Sequence, residues 1–188
     1  MVVARDAALV LGFAGLTALL AQFSVTTGFS PVPITGQSLS VLLAGATLGS
    51  ARGALSMAAY WLIGMAVPFA WYADGNHGWE VATGATAGYL VGFIVAAAFV
   101  GLMAERRQDR DFATSVPAML MASVIIYALG VVWLKYELNV PWHTGPVDNP
   151  GANAMNWGVY PFLIGDLVKL LIAGAATPLA WKLFSGDR

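Results

Sequence analysis

The run Ala7-Ala8-Leu9-Val10-Leu11-Gly12-Phe13-Ala14-Gly15-Leu16-Thr17-Ala18-Leu19-Leu20-Ala21-Gln22-Phe23 carries no charge, and its only polar side chains are Thr17 and Gln22. A membrane-crossing helix needs about 20 predominantly apolar residues, and this run with its flanks meets that length. Nothing resembling a cleavage site ends it before the next hydrophobic segment, so it predicts a retained first span over 7–24 rather than a signal peptide. Outward from it, apolar runs separated by Gly, Pro or charged residues predict spans at 37–50, 53–73, 84–104, 113–134 and 160–183. The second is short, because Pro31-Val32-Pro33 forces extended backbone before it and Gly49-Ser50-Ala51-Arg52-Gly53 closes it. Hydrophobic residues make up 59% of the 188, and charged residues 10%, against roughly 25% charged in soluble domains. Six spans of about 20 residues leave no room for a soluble catalytic domain. The expected fold is an all-α membrane protein, a single six-transmembrane-helix bundle over 1–188.

The cations test this topology separately, since Lys and Arg near span ends collect on the cytoplasmic side. Arg5, Arg52, Arg106, Arg107, Arg110, Lys182 and Arg188 all fall on one side, and the opposite connections hold Asp74, His77, Glu80, Glu137 and Asp148 with Lys135 the one cation. Both termini are therefore expected in the cytoplasm, with the chain in the cell membrane. Trp71, Tyr72, Trp79, Trp133, Tyr136, Trp142, Trp157 and Tyr160 sit at or beyond the outer ends of the spans. They suit an interfacial belt, with one or two free to line a pocket.

Several functions are excluded. A net charge of −1 offers no basic field for nucleic acid. Zero cysteines remove thiolate catalysis and Cys-bound metals. His77 and His143 stand in separate loops without metal-ligand spacing, so no metal is expected. No phosphate-cradling Gly-x-x-x-x-Gly-Lys-[Ser/Thr] occurs, so any ATP dependence must come from partner subunits.

The strongest chemical signal lies in the last span, where Asp166 and Lys169 interrupt Tyr160–Ala173. Each would cost roughly 2.5–3.5 kcal/mol at a helix centre. Their i,i+3 spacing puts both on one face, where they form a structural ion pair or a polar ligand site. A rigid segment, Ser30-Pro31-Val32-Pro33-Ile34-Thr35, delivers Thr35 and Gln37 toward the outer mouth, as cap or as recognition element. In Gly84-Ala85-Thr86-Ala87-Gly88-Tyr89, small residues permit close approach while Tyr89 adds a ring and a hydroxyl. Three function classes fit these residues: a ligand-binding transport subunit, a small proton-coupled transporter using the Asp/Lys pair, and an intramembrane hydrolase or transferase. The last lacks a recognisable nucleophile, so no enzyme activity and no catalytic residue is expected.

These residues also carry a family resemblance. Ser30-Pro31-Val32-Pro33-Ile34-Thr35-x-Gln37, then Val41-Leu42-Leu43-Ala44-Gly45-x-x-Leu48-Gly49-x-x-Arg52-Gly53, Gly84-x-Thr86-x-Gly88-Tyr89-Leu90-x-Gly92-Phe93 and Gly165-Asp166-x-x-Lys169 occur in order over nearly the whole chain. The pattern resembles the biotin-specific S components of energy-coupling factor (ECF) transporters, the BioY family. The resemblance implies a subunit that binds biotin from outside, with a transmembrane scaffold protein and two ABC-type ATPases as partners and no cofactor of its own. It further implies biotin contacts at Asp166 and Lys169, and the polar edges and rings of such a ligand make Thr35, Gln37, Gly84, Thr86 and Tyr89 further candidate contacts. Asn76 is implied as the loop asparagine after the third span, and the small residues Ala14 and Ala18 as scaffold contacts. The sequence departs from the family pattern at Gly36, Ala85 and Ala87, and in its aromatic, charged 71–80 loop and long 137–155 loop.

Overall fold

The computed structural model describes residues 2–146 and 149–185. Asp148 and Arg188, counted above on opposite sides of the membrane, lie outside the described residues. The long helices are α1 (Val2–Ala21), α2 (Gln37–Leu48), α3 (Ser50–Ala66), α5 (Ala87–Glu105), α6 (Phe112–Glu137) and α8 (Leu163–Ser185). Two single-turn helices, α4 (Trp79–Thr83) and α7 (Ala154–Gly158), lie in the connections. A two-residue antiparallel pair, β1 (Ser24–Val25) with β2 (Ile34–Thr35), closes the α1–α2 loop.

Each of the six expected apolar segments forms a helix, but with different reach. Among the described residues, four helical stretches are long and apolar enough to cross a membrane: Val3–Ala21, Ala87–Glu105, Phe112–Glu137 and Ala154–Ala180. With 12 residues α2 rises only about 18 Å, and α3 with 17 about 26 Å, short of a hydrocarbon core of about 30 Å. The third segment was expected to run to 73 and ends at Ala66. Val67 is extended (φ −81°, ψ 143°) because Pro68 follows it, and the chain beyond folds back toward the bundle.

The corner between α2 and α3 needs glycine. Gly49 adopts φ +82°, and its N–H caps α2 through the Gly45 carbonyl. Glu105, at the end of α5, accepts from the Ser50 backbone N–H at 2.8 Å and its hydroxyl at 2.7 Å, capping α3 from across the bundle.

Helix α5 is central, packing on α6, α3 and α2, while α1 lies on α3 and α2, and α8 on α6 and α2. The approach is close because the facing residues are small. A Cβ on Gly45 would sit 2.5 Å from the Ala97 carbonyl, and one on Gly101 2.3 Å from the Gly49 carbonyl carbon. Gly36 has the same explanation: its N–H donates to the Leu20 carbonyl at 3.1 Å, where a Cβ would come within 2.9 Å. The departure at this position therefore follows from how tightly the chain passes the end of α1.

The aromatic belt divides. Trp79 and Tyr136 are exposed, as interfacial residues should be. Tyr72 is buried, and Trp71 stacks on Tyr60 at 6.1 Å between ring centres and donates through Nε1 to the Tyr60 carbonyl at 2.8 Å. Burial pushes the Tyr72 hydroxyl up to about 12, so at neutral pH it remains a donor, here to the Trp61 carbonyl at 2.5 Å. These two rings pin the loop after α3 to the core.

Candidate functional site

At the end of the bundle where α2 and α5 begin, the helices part around a cavity of about 260 Å³. Thr35, Gln37, Asn76, Gly84, Thr86, Tyr89, Asp166 and Lys169 all line it, although they come from four separate parts of the chain. Val32, Leu90, Phe93, Ile126 and Phe162 supply an apolar wall. An apolar cavity with a few converging polar groups is the ordinary form of a small-molecule site.

Asp166 and Lys169 lie on one face of α8 and pair at 2.6 Å, with side chains 12% and 17% exposed. Asp166 Oδ1 also accepts from the Ser38 hydroxyl at 2.8 Å, and Oδ2 accepts from the Tyr127 hydroxyl at 2.5 Å. Lys169 donates to the Thr35 carbonyl at 2.5 Å, the Ser38 hydroxyl at 3.2 Å and Asp166. The extended Pro31–Thr35 segment therefore aims a backbone carbonyl at the ammonium, which a helical segment would keep in its own ladder.

Thr35 and Gln37 form a second, linked set. The Thr35 hydroxyl donates to Gln37 Oε1 at 2.8 Å, and Gln37 Nε2 donates to the buried Tyr60 hydroxyl at 2.6 Å. Tyr89 closes the opposite side, its hydroxyl donating to the Gly158 carbonyl at 2.7 Å. Ser30 donates to the Trp157 carbonyl at 2.7 Å, tying α7 to the α1–α2 loop. The Gly84 carbonyl accepts from Trp133 Nε1 at 2.9 Å.

Over the cavity, Asn76 is exposed and its side-chain amide donates to the Ala73 carbonyl at 3.0 Å. Its loop is held by Gly78 N–H on the Gly64 carbonyl at 2.8 Å, and by Asp74, which accepts from the Ser24 hydroxyl at 2.5 Å. Ser38, Tyr127, Asp74 and Glu80 also line the cavity, and the sequence reading did not single them out as ligand contacts. Ser38 neighbours Gln37 and could have been found by helical position, whereas Tyr127 shows in the sequence as one more aromatic in an apolar span.

Ala14 and Ala18 are elsewhere. Ala14 is fully buried and Ala18 nearly so, in the core that α1 shares with α2 and α3. The open side of α1 is the one carrying Ala4, Ala8, Leu11 and Gly12, with nothing within 4 Å of a Cβ on Gly12 or Gly15.

The BioY family model matches residues 1–186. The chain belongs to the BioY family. "Biotin transporter BioY" of Rhodobacter capsulatus is 38% identical over 171 residues, covering 85% of this chain and 87% of the relative. "Biotin transporter BioY" of Thermotoga maritima is 35% identical over 162 residues, covering 86% of each. In fold, this BioY-family chain is similar to a solved S-component for biotin from an ECF-type ABC transporter, with TM-score 0.76 over 95% of this chain and 92% of the other at 19% identity. The family is one of transporters and not of enzymes, and the chain is a multi-pass membrane protein.

Proposed function

We propose that this chain is the biotin-binding subunit of an ECF-type uptake transporter, taking biotin from outside into the cavity above Asp166 and Lys169. The observation that carries the reading is the convergence of Asp166, Lys169, Thr35, Gln37, Asn76 and Tyr89 on one cavity with an apolar wall. Biotin offers two ureido N–H donors, a carbonyl acceptor and an apolar thiophane ring with a valeryl chain. Asp166 accepts from one ureido N–H group, Asn76 and the Thr35–Gln37 pair meet the remaining polar edges, and Tyr89, Phe93 and Phe162 pack on the bicycle. Lys169, its donors already engaged, balances the Asp166 charge.

On this reading all six long helices cross the membrane, α2 and α3 seated among longer neighbours, with both termini cytoplasmic. A scaffold protein and two ABC-type ATPases supply the motion. The scaffold meets the exposed face of α1, where Ala4, Ala8 and Gly12 recur every fourth residue, rather than Ala14 and Ala18.

Calorimetric titration of the detergent-purified chain with biotin, thiamine and riboflavin tests the ligand. Saturable one-site binding of biotin alone is the expected result. A folded sample that ignores biotin overturns the reading.

A further inference from the structure

Asp166 is held by more partners than an ion pair requires. Among the described residues, Oδ1 accepts from Ser38 and Lys169, and Oδ2 accepts from Tyr127 alone. A carboxylate has about four lone-pair sites, two on each oxygen. Oδ1 is therefore filled, and Oδ2 keeps one acceptor site, beside the Tyr127 hydroxyl on the cavity wall that both residues line. The two donors that flank this carboxylate on the cavity wall, Tyr127 and Lys169, are already engaged. Tyr127 directs its hydroxyl proton at Oδ2, and Lys169 has its protons on Thr35, Ser38 and Asp166.

Building on the biotin reading, we propose that Tyr127 is a positioning and specificity-determining residue, fixing Asp166 so that one free acceptor faces the cavity and selects a ligand N–H. Tyr127 stands in the middle of α6, opposite the first turns of α8, so its hydrogen bond sets the carboxylate's rotation from the neighbouring helix. Without the hydroxyl, Asp166 keeps its Oδ1 partners and loses the partner that orients Oδ2. A ligand without an N–H gains nothing from that orientation, because an oxygen placed there would face lone pairs.

The test compares wild type with Tyr127→Phe, which keeps the ring, in the full purified chain. The probes are biotin and a biotin derivative methylated on both ureido nitrogens. We expect Tyr127→Phe to weaken biotin about tenfold and the dimethyl derivative by less than about threefold. In Asp166→Asn, adding Tyr127→Phe should cause no further loss of biotin affinity, because the two act as one unit. That cycle decides alone where the dimethyl derivative is too weak to titrate, and Tyr127→Met substitutes if the phenylalanine variant unfolds.

Unchanged biotin affinity in Tyr127→Phe, equal weakening of both ligands, or additive losses in the cycle would each overturn the proposal. A folded wild type that binds no biotin overturns the proposed function together with this inference. A wild type that binds biotin while the Tyr127 results fail overturns this inference alone.

Discussion

Lys169 has three ammonium protons, and three oxygens hold them: the Thr35 carbonyl, the Ser38 hydroxyl and Asp166 Oδ1. The lysine thus places a positive charge 2.6 Å from the Asp166 carboxylate. Removing one member of a mostly buried pair strands the other, at a cost of about 3–5 kcal/mol. Lys169→Met should therefore lower the thermal unfolding temperature in detergent and weaken biotin together. Asp166→Asn/Lys169→Met should recover most of the stability and none of the binding, a separation that thermal unfolding and equilibrium binding on the same samples will reveal. At this scale the sequence was informative where polarity was conspicuous. Asp166 and Lys169 stand out because charge is expensive in a span, and Thr35 and Gln37 because prolines frame them. Tyr127 was not legible, because a tyrosine in an apolar run looks the same whether its hydroxyl faces a carboxylate or a headgroup.

Among the elements, α5 depends on the absence of side chains. Gly45 lies where a Cβ would meet the Ala97 carbonyl at 2.5 Å, while Gly15 on α1 has open space. Gly45→Ala should destabilise the bundle by about 1–3 kcal/mol through forced separation of α2 and α5. Gly15→Ala should leave the unfolding temperature unchanged or slightly raised, since alanine favours helix. Thermal unfolding of both variants checks the contrast. The apolar runs located all six long helices because their length and hydrophobicity are local properties. The ends were less legible. α3 stops at Ala66 because Pro68 prevents its continuation, and α4, α7 and the β1–β2 pair are too short to leave a periodic signal. The sequence puts Trp71 and Tyr72 in an interfacial belt with one or two of its rings free to line a pocket, and Tyr72 does line the cavity. Composition does not separate a ring at the membrane surface from one folded back under a loop.

For the whole molecule, the proposal separates a binding end from a coupling face. Asn76 belongs to the first and the Arg106–Arg107 turn to the opposite end, and the chain has no cysteine of its own. Single cysteines at Asn76 and Arg107 should label with an impermeant maleimide in intact cells only at Asn76. The reverse pattern would invert the topology. Likewise, Gly12→Leu on the open side of α1 should leave biotin binding intact and reduce coupled uptake. Ala14→Leu, inside the core, should lower stability instead, a distinction read from uptake in cells beside unfolding of the purified variants. The small residues of α1 were visible in the sequence, but which of them face a partner depends on the rotation of the helix against α2 and α3.

Equilibrium binding of tritiated biotin to wild type and Asp166→Asn, purified side by side, bears most directly on the proposed site. Asparagine keeps the shape and loses the charge, and hydrogen bonds to charged groups contribute about 1.5–3 kcal/mol. Wild type should therefore bind with an affinity at least about tenfold tighter than the variant. Equal affinities in two folded samples would contradict the assignment of the cavity at Asp166 as the biotin site.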